Sequence, residues 1–163
     1  MIVIALGSNL SSQAGGPQET LAAAIARLTY NDATVRKVSR YFKSAAWPDP
    51  NDPPFTNAVA IIETARDPAA LMTLLHETEA AFGRVRGPRN APRTLDLDLI
   101  DYDGRVEKGP PVLPHPRLAD RAFVLVPLAD IAPDWRHPES GQSIAELIAV
   151  LPPEARDIEK LAT

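Results

Sequence analysis

Thr94-Leu95-Asp96-Leu97-Asp98-Leu99-Ile100-Asp101-Tyr102 decides how the chain folds. A strand turns successive side chains to opposite faces, so Leu95, Leu97 and Leu99 share one face and Asp96 and Asp98 the other. This stretch is predicted as a strand with an apolar face on a core and an acidic face left open. Just upstream, Asp67-Pro68 reads as a helix N-cap followed by proline at the first helical position. Leu71, Leu74, Leu75, Thr78 and Phe82 then form the inward stripe of that helix, and Gly83 is a natural stop. Further back, residues 56–64 are an apolar strand. Residues 34–43 mix Val35, Val38, Tyr41 and Phe42 with Arg36, Lys37 and Arg40, as an exposed edge strand does. Gly16-Pro17 opens an earlier helix, with Leu21, Ala24, Ile25 and Leu28 on one face. Residues 1–6 are an uninterrupted apolar run ending at Gly7-Ser8-Asn9, which suits a strand buried on both faces.

The resulting order is βαββαβ, the split-βαβ arrangement of a ferredoxin-like sandwich. This predicts an α+β fold with an antiparallel-rich sheet and helices on one face. The first and third strands, the two most apolar, are expected to be central and parallel. Residues 103–163 are expected as a C-terminal extension of loops with a helix near residues 143–151. The chain counts as one domain over 1–163, with its core in 1–102.

At 163 residues, with 45% hydrophobic and 23% charged residues, the composition is that of a globular domain rather than a disordered or fibrous chain. There is no cysteine, so no disulfide framework, thiolate zinc site or thiol nucleophile exists. The formal net charge of −4 argues against a general nucleic-acid or anionic-membrane binder. No apolar run approaches the roughly 20 residues of a membrane span. The apolar N-terminus lacks the basic region and cleavage site of a signal peptide. A soluble cytoplasmic protein is expected.

Two constellations carry chemistry. Asp96 and Asp98, roughly 6–7 Å apart along the strand, repel each other unless a cation lies beside them. Magnesium takes one or two carboxylates and completes its shell with phosphate oxygens and water, and two ions roughly 3.5–4 Å apart could be bracketed by such a pair. The plainer alternative is the solvent face of a half-buried strand. Arg84, Arg86, Arg89 and Arg93 lie in a stretch without any acid, running directly into the aspartates. Guanidinium forks neutralise phosphate oxygens bidentately, although such a loop could equally be solvated and paired with nearby acids. Together these are the parts for phosphoryl transfer. Neither a P-loop nor a kinase glycine loop is present. His115 lies on a loop between prolines, and zinc spacing is absent among the three histidines. Phe55 and Phe123, on their own, read as core residues.

These residues resemble the 6-hydroxymethyl-7,8-dihydropterin pyrophosphokinases of folate biosynthesis. The resemblance is carried by Gly83-Arg84-Val85-Arg86 and by Pro92-Arg93-Thr94-Leu95-Asp96-Leu97-Asp98. Leu6-Gly7-Ser8-Asn9-Leu10, Phe55-Thr56-Asn57-Ala58, Leu113-Pro114-His115-Pro116-Arg117 and Arg121-Ala122-Phe123-Val124-Leu125 follow the family's order over residues 1–130. The resemblance implies attack of the pterin hydroxyl on the β-phosphorus of ATP, with AMP leaving. It implies two magnesium ions on Asp96 and Asp98, with Arg84 and Arg93 catalytic. Glu79, Arg86, Leu99, His115 and Arg121 would contact ATP. Ser44, Ala46, Phe55, Asn57 and Phe123 would hold the pterin: the two rings sandwiching it, Asn57 reading its amide-like edge, and backbone near Ser44 and Ala46 completing that edge. Glu79 is expected exposed towards a cleft. A monomer acting on small molecules is implied.

Three departures from the family stand out: Phe55 replaces a frequent tyrosine, Asn90-Ala91 replaces Trp-Gly in an arginine loop one residue shorter, and Pro116 replaces an aromatic residue. Prolines outnumber glycines 17 to 8. They cluster at 48, 50, 53 and 54, at 88 and 92, and at 110, 111, 114 and 116, beside the proposed contacts. This predicts stiffened lids around a pterin and ATP cleft, with a hinge near Gly83 and Gly87. The competing readings are a ferredoxin-like binding module without catalysis and a hydrolase on the same fold.

Overall fold

A computed structural model describes residues 1–162 other than Arg86, Arg89 and Asn90. Strand β1 (Ile2–Ser8) is buried along its whole length. It is followed by α1 (Pro17–Tyr30), β2 (Thr34–Val38), β3 (Phe42–Ser44), β4 (Phe55–Glu63), α2 (Pro68–Ala81) and β5 (Asp96–Tyr102). The short hairpin β6 (Glu107–Lys108) and β7 (Val112–Leu113) precedes a 3₁₀ turn (Leu118–Asp120), α3 (Ala122–Ile131), α4 (Ile144–Ala149) and β8 (Ile158–Lys160). The caps follow the sequence signals. Pro17 and Pro68 open their helices, and the Asp67 side chain accepts the Ala70 N–H at 2.8 Å.

The main sheet runs β5-β1-β4-β3-β8, with β2 also paired to β4. Residues 34–43, expected as one strand, are two strands that hydrogen-bond successive parts of β4. The expectation that the first and third strands run parallel is corrected. β1 and β4 are antiparallel, with Ile2 opposite Ile62 and Leu6 opposite Ala58. The α1 crossover returns the chain parallel to β1 but one place removed. The next reversal sends β4 back antiparallel into the gap.

The alternation of β1 feeds two cores. Ile2, Ile4 and Leu6 pack with Leu21, Leu28, Leu71 and Leu75 from α1 and α2. Val3 and Ala5 pack on the other face with Val124, Leu125 and Leu128 of α3 and Leu147 of α4. Helices therefore cover both faces, not one. The segment after residue 102 contributes the second layer, and β8 extends the sheet by pairing with β3. The expected last helix is present, capped by Ser143 and Glu146 in a reciprocal box. Helix α3 escapes prediction because it is nearly all apolar and carries Pro127 inside it, which leaves no amphipathic period to read.

In β5 the alternation holds through Leu99. A register irregularity opposite Val3 and Ile4 then intervenes. Leu97 and Leu99 belong to the α1/α2 core and Ile100 to the α3/α4 core. Asp101 is buried and accepts the Trp135 indole N–H at 2.9 Å.

Candidate active site

The site forms where β5, the sheet's edge, meets the end of α2, the turn before α3 and the loops around residues 45–54 and 84–93. Asp96 and Asp98 stand side by side on β5, with Leu95, Leu97 and Leu99 fixed in the core behind them. The edge strand would leave the Leu97 N–H without a partner. Glu79, buried at the end of α2, supplies one by accepting it at 2.9 Å through Oε2.

Gly83, at φ 83°, then reverses the chain in a left-handed conformation that suits glycine. Its N–H donates to Ala80 O, and that of Arg84 to Glu79 O. The Arg84 side chain is thereby returned to the site, where Nη1 donates to Glu79 Oε2 and, at 2.8 Å, to Asp96 Oδ1. Arg93 Nη1 lies 3.6 Å from the same Asp96 oxygen, and Arg121 Nη1 lies 3.3 Å from Asp98 Oδ2. Among the described residues, Asp96 Oδ2 and Asp98 Oδ1 accept no hydrogen bond.

Electrostatics follow from this crowding. Burial, reinforced by the charge of Asp96, pushes the Asp98 carboxyl up to about 6, against the pull of Arg121 and Arg84. Burial also raises Glu79 to about 7, outweighing the Leu97 hydrogen bond and the Arg84 charge. His115 is driven down to about 4, by burial first and Arg121 second. The His115 ring is therefore neutral near pH 7. Its Nδ1 accepts the Arg117 N–H at 3.1 Å, so the ring proton sits on Nε2.

Two cavities meet at the aspartates. One, of about 320 Å³, is lined by Phe55, Phe123, Asn57, Ser44 and Trp47. The other, of about 570 Å³, is lined by Glu79, Arg84, Met72, His76 and the chain around Pro88. Arg93, Asp96, Asp98, Arg117 and Arg121 border both. In the first, Asn57 Nδ2 donates to Ser44 Oγ at 2.8 Å, which leaves its carbonyl oxygen and second N–H for a ligand. The Arg121 guanidinium lies 5.5 Å from the centre of the Phe123 ring. An aromatic-lined slot thus opens into a cationic trough, with an acidic pair at the junction.

The family model described as 7,8-dihydro-6-hydroxymethylpterin-pyrophosphokinase matches residues 3–133. The chain belongs to this family. A Synechocystis 2-amino-4-hydroxy-6-hydroxymethyldihydropteridine pyrophosphokinase is 40% identical over 90% of this chain and 73% of that one. The Pseudomonas aeruginosa protein of the same name is 38% identical over 98% of this chain and 96% of its own. The solved wild-type Plasmodium falciparum HPPK-DHPS is similar in fold, with a TM-score of 0.65 at 12% identity over 91% of this chain. The chain spans 40% of that longer protein.

Of the site residues expected for a pyrophosphokinase, Arg84, Arg93, Asp96, Asp98, Glu79 and Arg121 converge at the junction, and Ser44, Phe55, Asn57 and Phe123 line the aromatic cavity. Glu79 faces its cavity but is buried, not exposed as expected, because it caps the β5 edge. Leu99 does not border either cavity. Its side chain is packed in the α1/α2 core, as its place in the leucine alternation demands. Ala46 is buried, and its neighbours Ala45 and Trp47 form the wall instead. His115 lines neither cavity; its Nδ1 is held by the Arg117 N–H. Arg86 lies outside the described residues, as do Arg89 and Asn90 of the same loop.

Three residues had no assigned role from sequence. Buried Asn9 ties loops together: its Oδ1 accepts the Arg93 N–H at 2.7 Å and its Nδ2 donates to Pro53 O at 3.0 Å. The Gly7-Ser8-Asn9 turn flagged its presence but not these partners. Trp47, two-thirds exposed, borders the aromatic cavity from the proline-rich loop. Arg117 borders both cavities; the Leu113–Arg117 motif includes it, but the residues alone give its side chain no role.

Proposed function

We propose that this chain transfers the pyrophosphoryl group of ATP to the hydroxymethyl group of 6-hydroxymethyl-7,8-dihydropterin, in folate synthesis. The observation that carries this reading is the junction itself: an aromatic slot and a cationic trough sharing Asp96 and Asp98 as their common wall. In the reaction, the pterin hydroxyl oxygen forms a bond to the β-phosphorus. The bond from that phosphorus to the α,β-bridging oxygen breaks, AMP departs with the bridging oxygen, and the hydroxyl proton passes to water.

The protein's part is positioning and charge. Phe55 and Phe123 hold the pterin plane between them by offset stacking, while Asn57 pairs with its edge. Arg84 and Arg93 exchange carboxylate partners for phosphate oxygens as the arginine loop closes, and Arg121 holds the nucleotide phosphates from the opposite wall. Neutral His115 accepts the Arg117 N–H through Nδ1 and so fixes the turn that carries Arg117 to the cavity wall. Glu79 fixes the end of α2 to β5 and thereby sets where Arg84 stands. Arg86 is assigned to the same phosphate-binding loop.

Two magnesium ions fit the donor set. Asp96 and Asp98 present one free carboxylate oxygen each, and burial, with the Asp96 charge beside it, already disfavours the charged form of Asp98. Such a hard cation takes one or two carboxylates and its other ligands from phosphate and water. Bound there, the ions supply charge neutralisation of the triphosphate and template its approach.

The sheet order and the two βαβ halves support a ferredoxin-like core. The shared second core, built from Val3, Val59, Trp135 and Leu147, supports counting 1–163 as one domain. No helix among the described residues is long and apolar enough to cross a membrane. A cytoplasmic monomer acting on small molecules, without nucleic acid, is the accompanying reading. AMP production tests the function. AMP should appear only when ATP, magnesium and the pterin are all present. ADP as product, or phosphate release without pterin, rejects the assignment.

A further inference from the structure

The carboxylates that border the trough are already matched. Asp96 is paired to Arg84 and Arg93, Asp98 to Arg121, and Glu79 to Arg84. Arg117 is the exception. It is exposed, borders both cavities, and its guanidinium has no acidic partner among the described residues. Its backbone, by contrast, is firmly placed. The Arg117 N–H donates to His115 Nδ1, and its carbonyl accepts the Asp120 N–H at 3.1 Å. Leu118, fully buried, anchors the turn into the α3 core. A fixed stem therefore carries an uncommitted cation at the one place where the slot and the trough meet.

A charged group without a counter-ion beside an anion-binding trough costs less to redeploy than one already paired. Arg84, Arg93 and Arg121 must each give up a carboxylate to take a phosphate, whereas Arg117 gives up only water. The part of ATP that crosses from trough to slot is the pair of phosphates being transferred. Resting on the pyrophosphoryl-transfer reading above, we infer that Arg117 is a further substrate-binding residue, which grips the oxygens of the β- and γ-phosphates and stays with them as they pass to the pterin.

Because AMP lacks those phosphates, Arg117 makes a contact to ATP that it cannot make to AMP. Calorimetry with magnesium and α,β-methylene-ATP, set beside AMP alone, reads this difference. Arg117→Gln should bind the methylene analogue about tenfold more weakly, lower kcat, and bind AMP as the unaltered protein does. Arg117→Lys, which keeps a charge but not the fork, should recover part of the loss. Equal losses for AMP and the analogue would mean that the substitution merely disturbs the turn, and would overturn the inference. Unchanged analogue affinity and kcat in Arg117→Gln would also overturn it, while leaving the transfer reading intact if the unaltered chain makes AMP. If the unaltered chain makes ADP or free phosphate instead, the transfer reading fails, and the inference falls with it.

Discussion

Glu79 and Arg84 are bound to one another at the lip of the sheet, and the Glu79 oxygen that holds Arg84 also holds the Leu97 N–H at 2.9 Å. One carboxylate thus ties α2, the arginine loop and the strand bearing the aspartates. Glu79→Gln keeps an acceptor for Leu97 and removes the charge, whereas Glu79→Leu removes both. The leucine variant should lose about 1–3 kcal/mol more than the glutamine variant, for the orphaned N–H. The pH dependence separates charge from hydrogen bond. The folded carboxyl keeps its proton up to about 7, above its ordinary range. Stability from this group is therefore complete in acid and lost as pH rises through 7. Urea unfolding between pH 4.5 and 7 should show that decline in the unaltered protein and a flatter profile in Glu79→Gln. Equal slopes, or a leucine variant as stable as the glutamine one, would contradict the role given to Glu79.

Asp98 illustrates a site held at the expense of stability. Its carboxyl is buried beside Asp96, and both effects disfavour its charge. Asp98→Asn should therefore unfold no earlier than the unaltered protein when magnesium is chelated, yet lose on the order of 10³ in kcat. Magnesium should raise the Tm of the unaltered protein and leave that of the variant unmoved. Near-normal turnover in the folded variant would remove Asp98 from the metal assignment.

The aromatic slot proposed for the pterin has its own test. Phe123 borders the cavity and also packs partly against the α3 core, so Phe123→Leu is preferred to alanine because it retains apolar bulk. Loss of ring stacking should weaken binding of the dihydropterin by about three- to tenfold, with ATP-analogue affinity unchanged. Calorimetric titrations that show equal losses for the two ligands would refute a stacking role.

His115 titrates in the opposite sense to Glu79. Its folded value, about 4, lies below the ordinary histidine range. Between those values the unfolded chain takes up a proton that the native chain refuses, so stability falls as pH drops from about 6.5 towards 4. Protonation would also cost Nδ1 its bond from Arg117. The stability difference between the unaltered protein and His115→Gln should shrink over that window. Parallel curves for the two proteins would show that His115 is not held neutral by its surroundings.

Much of this was legible in the sequence, for identifiable reasons. Asp67 and Pro68 start α2 wherever it packs, because the cap is a local hydrogen bond. The leucine and aspartate alternation fixed the two faces of β5 as far as Leu99. Beyond it, the irregularity depends on the partner strand and leaves no mark in a single segment. Strand direction is not legible there, because an apolar run reports burial, not polarity: residues 1–6 and 56–64 look alike whether parallel or antiparallel. Helix α3 was illegible because burial on nearly every side, with Pro127 inside it, erased the period. The acidic pair and the arginine loop could be read because neighbours in sequence remain neighbours in the site. Asn9 could not, since its partners Arg93 and Pro53 come from distant loops.

Pyrophosphoryl transfer as a unit is the central claim, and phosphorus NMR of the complete reaction follows it directly. With ATP, magnesium and 6-hydroxymethyl-7,8-dihydropterin, the α-phosphorus should emerge alone in AMP. The β- and γ-phosphorus nuclei should remain coupled to each other in the pterin product. A phosphate resonance growing alongside ADP, or the γ-phosphorus appearing alone on the pterin, would contradict the account.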